Sequence, residues 1–139
     1  MHPHKVFTIT ALTATLLVPS VSLAAASANR PPCILNEHRV TSVKPYTVTE
    51  QIGHGTYQRL RGADVYVLAE PGLTAEWLEL KLQQHLQAMN QADMRDCAFD
   101  VKNVAIDVDS AGNGFRVRFI AKSPGGAKEV LRRARLLVD

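Results

Sequence analysis

Two short segments, Val104–Val108 and Phe115–Ile120, constrain this chain more than any other stretch. Val104, Ile106 and Val108 alternate with Ala105, Asp107 and Asp109, and Phe115, Val117 and Phe119 alternate with Arg116, Arg118 and Ile120. A period of two belongs to strands with one buried face. Between them Ser110-Ala111-Gly112-Asn113-Gly114 supplies turn chemistry, so the pair predicts an antiparallel hairpin. Its second face sets two aspartates beside two arginines, cross-strand pairs worth about 0.2–1 kcal/mol each that help fix register.

Such a hairpin needs a second layer over its apolar face. Thr74 reads as a helix N-cap, with Glu76 in the first turn and Leu73 and Leu78 placed as a hydrophobic staple, so a helix is predicted from Ala75 to about Gln91. Its apolar arc holds Ala75, Leu78, Leu82, Leu86, Met89 and Ala92, flanked by Trp77 and Ala88. Leu80 falls on the polar face, where a single exposed leucine is ordinary. Ser123-Pro124-Gly125-Gly126 is expected to separate the hairpin from a last helix, Ala127 to about Val138, whose stripe is Ala127, Val130, Leu131, Ala134, Leu137 and Val138.

Upstream, Tyr46–Ile52 suits a strand, Gly53-His54-Gly55 a turn, and Thr56–Leu60 a weak continuation that Arg61-Gly62 breaks. Ala63–Ala69 is apolar on both faces except at Asp64, as a central strand should be. Residues 29–44 show no period, and Pro31-Pro32 favours an extended arm. The expected fold is a small two-layer α+β sandwich, β-β-α-β-β-α, with a mainly antiparallel sheet and two helices on one face, in a single domain over 45–139.

Residues 1–28 have the pattern of a secretory signal peptide: Lys5 near the start, a mostly apolar stretch from Val6 to Ala25, and Ala26-Ser27-Ala28 at a cleavage site, with Ala24-Ala25-Ala26 competing. The stretch is too short and polar for a stable span, so no transmembrane anchor is expected in the mature chain. Removing 1–28 leaves 111 of the 139 residues, with 15 Lys and Arg against 13 Asp and Glu, a net charge of +2. That is too mild for a nucleic-acid partner, and no arginine-aromatic stripe suggests one. In an oxidising compartment Cys33 and Cys97 are expected to form a disulfide, and no C-x-x-C spacing marks them as reactive thiols.

Function is less legible. His85 lies inside the apolar stripe and is expected to be a core histidine bonded to a backbone carbonyl or a water, the alternatives being a metal ligand or a pH-sensitive group. His54 sits between two glycines and His38 near Cys33; with His85, and with Met89 or Met94, these are the candidates for a zinc or copper site, although no H-x-H, H-x-x-x-H or methionine-rich cluster is present. No cofactor is otherwise expected. Asp107-Val108-Asp109-Ser110-Ala111-Gly112 fails as a calcium loop, having Ala111 at position five and Arg118 at position twelve. Lys128, Arg132, Arg133 and Arg135 form a basic helix face, a candidate surface for an envelope protein or an anionic envelope component. No nucleophile elbow, zinc-protease motif or phosphate loop appears, and no catalytic residue is assigned. The expectation is a soluble periplasmic or secreted protein, a non-catalytic binding or interaction module of the cell envelope. The alternatives are a low-capacity copper or zinc binder and a small periplasmic enzyme.

Overall fold

A computed structural model describes residues 33–89, 97 and 99–138. The signal pattern, the arm before Cys33, the last residues of the first predicted helix and Met94 lie outside these. A 3-10 turn at Ile34–Glu37 leads into β1 (Val40–Ile52), β2 (Gly55–Leu68), α1 (Ala75–Met89), β3 (Val104–Ala111), β4 (Gly114–Ala121) and α2 (Pro124–Arg135). The strands make one antiparallel sheet in the order β1-β2-β4-β3. This is the expected α+β sandwich.

The two faces of the sheet follow from side-chain alternation. Val43, Val65, Val117 and Val108 stand in one row across all four strands, next to a row of Pro45, Ala63, Phe119 and Ile106. These rows meet the helices: α2 packs on β2 and β4, and α1 on β3. Leu78, Leu82 and Met89 of α1 and Ala127, Val130 and Ala134 of α2 are buried with them. Phe99, fully buried, stacks on Phe119 with ring centroids 5.1 Å apart.

The outer face carries a charged row, Lys44, Asp64, Arg118 and Asp107. Arg118 stands opposite Asp107 but donates instead to Asp64, from Nε at 2.8 Å and Nη2 at 3.1 Å, and its guanidinium lies 4.1 Å from the centre of the Tyr46 ring. Asp64, on the more enclosed strand, is the partner that most needs pairing, because a buried unpaired charge is costly. The other expected pair, Arg116 with Asp109, is formed.

Several expected boundaries move: α2 ends at Arg135 rather than near Val138, and Ser110-Ala111 belong to β3 rather than to the turn. β1 begins at Val40, so the last five residues of the 29–44 arm, Val40–Lys44, belong to the sheet. Arg61-Gly62 does not break the chain into two strands. Tyr46 faces Gly62 while Thr47 faces Leu60, so Arg61 is the extra residue of a β-bulge inside one long strand. Ser123-Pro124-Gly125-Gly126 is not a separator but the cap and first turn of α2: Ser123 Oγ accepts from the Gly126 amide at 3.0 Å, and Pro124 occupies a position whose N–H has no helical partner.

β2 pairs with β4 only from Gly62 to Leu68, whereas its pairing with β1 continues to the turn. Thr47–Leu60 is therefore a two-stranded ribbon of six residue pairs beyond the sheet, about 20 Å long at ~3.4 Å per residue. Ile52 and Tyr57 are exposed near its tip.

Candidate functional site

The segment Cys33–His38 enters the domain beside α1, and both of its ends carry chemistry. Cys33 and Cys97 form the expected disulfide, with Cα atoms 5.1 Å apart. At this end His85 Nε2 lies 3.7 Å from Cys97 Sγ, and the imidazole meets Phe99 edge-on at 5.5 Å. His85 is half-buried in the stripe, as expected, but its neighbours are sulfur and an aromatic ring. Burial pushes its pKa down, against an opposing pull from the Glu37 charge.

Two turns earlier on α1, Trp77 meets His38 edge-on at 6.2 Å. His38 Nδ1 bonds Glu70 Oε2 at 3.2 Å, and the Arg39 amide donates to Glu70 Oε1 at 3.3 Å. Glu70, from the loop between β2 and α1, thus fixes the start of β1. The His38 bond, then the Arg39 amide, hold its carboxyl below the usual carboxylate range. The His38 side chain is 10% exposed and Glu70's 37%. His38 Nε2 is buried and has no partner among the described residues. His38, Glu70, Pro71, Gly72, Leu73 and Trp77 line an open cleft of about 270 Å³. Lys81 Nζ stands 5.7 Å from the centre of the Trp77 ring, so this indole already receives a cation.

The histidines do not converge. His54 is exposed in the turn of the ribbon, and His38 is paired with Glu70. Among the described residues, the one cluster of three metal-ligating groups is Cys33, His85 and Cys97, not His38, His54 and His85. The length of the ribbon is the reason: it carries His54 beyond the sheet. The failed calcium loop is the end of β3 and its turn, with Asp109 bound to Arg116.

The basic face is not a free cationic surface. Arg132 and Arg133 both bind Glu129, with shortest contacts of 2.7 Å and 2.6 Å. Arg133 also donates to the carbonyls of Asp100 at 2.9 Å and Cys97 at 3.4 Å, tying α2 to the segment after α1. Arg135 instead lines an open groove with Thr41, Ser42, Val43 and Val138. Arg132 and then Arg133 hold the Glu129 carboxyl down at about 2. A carboxyl lowered by folding contributes stability that is fully present above its unfolded pKa and is lost as pH falls through the folded one. Urea midpoints are therefore expected to fall between pH 4.5 and about 2, and to fall less steeply in Glu129→Gln. Parallel profiles for the two proteins would contradict this.

Sequence reasoning passed over Glu70 as a site residue and placed Trp77 only on a helix flank. The available signal was a carboxylate in the Glu70-Pro71-Gly72 turn, just before a capped helix bearing the only tryptophan of the chain. Fold and site define a class, a disulfide-stapled α+β domain with a small cleft beside its first helix. No family model, curated protein or solved structure matches the chain.

Proposed function

We propose that the chain is an exported binding module of the cell envelope, and that its cleft takes an ammonium group carried on an apolar stem. Export is supported by the pattern of residues 1–28 and by the disulfide, since such bonds persist in oxidising compartments. No described helix is long and apolar enough to cross a membrane. The observation that carries the binding reading is the convergence of the Glu70 carboxylate and the half-exposed Trp77 ring in one cleft. A carboxylate beside an indole face favours a cation, and Lys81 shows that the ring receives one. The volume lies below the ~300–1,000 Å³ of drug-sized sites, so the guest is a single side chain or a small amine. A catalytic reading has less support, because a general base needs a nitrogen open to substrate and His38 Nε2 is occluded.

Trp77 is the only tryptophan, so its emission reports on the cleft directly. Short alkyl diamines and lysine-containing peptides are expected to quench it saturably below about 10 mM, matched carboxylic acids are not, and Glu70→Gln should weaken the response at least about tenfold. Quenching that survives Glu70→Gln, or no response to any amine, would overturn the reading. Thermal melting of the variant checks that it is folded.

A further inference from the structure

We propose that reduction of the Cys33–Cys97 disulfide converts this corner of the domain into a site for a soft, thiophilic metal ion, bound by both sulfurs and by His85 Nε2. The three atoms already lie within 4.8 Å of one another. An ion bonded to sulfur at about 2.3 Å and to imidazole nitrogen at about 2.0–2.1 Å holds those two atoms roughly 3.5–3.8 Å apart at tetrahedral to trigonal angles. His85 Nε2 and Cys97 Sγ stand 3.7 Å apart, already the separation such an ion would set between them. The sulfurs must separate, which rotation about the side-chain torsions supplies while the Cα atoms stay 5.1 Å apart.

The surroundings suit the same chemistry. Cys33 and Cys97 are only 7% and 4% exposed, so both sulfurs are shielded from water, while Phe99 packs against the half-buried His85 ring. Arg133 donates to the Cys97 carbonyl, and its positive charge is of the sign that favours thiolate over thiol. Two thiolates and one imidazole form a soft donor set, which selects Cu(I) or Zn(II) over hard cations. A three-coordinate set is best matched by Cu(I).

The steps balance. A dithiol gives two electrons and two protons to the disulfide; the Sγ–Sγ bond breaks, Cys33 and Cys97 become thiols, and the dithiol becomes a disulfide. The metal then displaces the two thiol protons to solvent and takes the Nε2 lone pair of the neutral imidazole. The ion keeps its oxidation state. In the oxidised protein both sulfurs are committed to each other, so binding is gated by the redox state of the staple. The amine cleft plays no part in this, and either proposal can fail alone.

The test uses the full mature chain, reduced with a phosphine and titrated with Cu(I) against a chromophoric Cu(I) chelator. Reduced protein is expected to withdraw one equivalent and oxidised protein none, with at least about a tenfold weaker affinity in reduced His85→Gln. If reduction alone unfolds the chain, Cu(I) must restore its circular dichroism in the parent and not in His85→Gln. Equal affinities in the two reduced proteins, binding by the oxidised form, or failure to restore the fold would each overturn the proposal.

Discussion

Replacing Cys33 and Cys97 together by alanine is expected to lower the stability of the domain by roughly 4 kcal/mol, with a melting temperature lower by about 15–30 °C. The two positions are 64 apart in sequence, so the bond closes a long loop that the unfolded chain would otherwise explore freely. Both sulfurs are buried, which makes alanine the fair replacement: serine would add an unsatisfied hydroxyl to the same measurement. Urea denaturation of the oxidised parent and the double variant at neutral pH gives the difference. A loss below about 1 kcal/mol would mean that the Cys33–His38 segment is held mainly by α1, Glu70 and the sheet, and that the chain-entropy account fails here.

Gly62→Ala is expected to cost at least about 3 kcal/mol. Gly62 lies at the bulge in β2 with φ +157°, a value that L side chains rarely adopt, and a Cβ there would fall well inside contact distance of the Phe119 carbonyl oxygen on β4. Relief requires β2 and β4 to part where the central pairing begins. Gly125→Ala is the matched control. Its Cβ would meet nothing within 4 Å in the first turn of α2, so a gain of about 0.5–1 kcal/mol is expected there. Comparable losses at the two sites would remove the steric argument.

The same glycine shows why part of the fold was hard to read. An Arg-Gly pair between two apolar runs looks alike whether the chain turns or bulges; only the approach of β4 decides, and β4 lies more than fifty residues downstream. The β3–β4 hairpin was legible because its alternation is local and strict, and α1 because Thr74 caps it: its Oγ1 accepts from the Trp77 amide at 3.2 Å. The cysteine pairing was legible because only one intramolecular pairing exists. The candidate sites were not. His38 and Glu70 are 32 residues apart and meet only because β1 and β2 are long enough to bring the start of one beside the end of the other. His85 was legible as an interior residue, but its partner Cys97 arrives through a segment with no period of its own. Arg132 and Arg133 read as an open basic face because the carboxylate that engages both, Glu129, sits on their own helix among basic residues.

The ribbon divides β2 into two lengths with different support: an outer one paired with β1 and an inner one paired with both β1 and β4. Leu60 at the base of the ribbon packs on the core, but the outermost pairs, Thr49–Ile52 with Gly55–Gln58, are joined to one neighbouring strand, so a local opening that leaves the core intact is expected to expose their amides. Those of Gly62–Leu68 lie between two strands and beneath α2, and only cooperative loss of the whole sheet exposes them. Amide hydrogen exchange around the tip that carries Ile52, His54 and Tyr57 is therefore expected to outpace exchange at Gly62–Leu68.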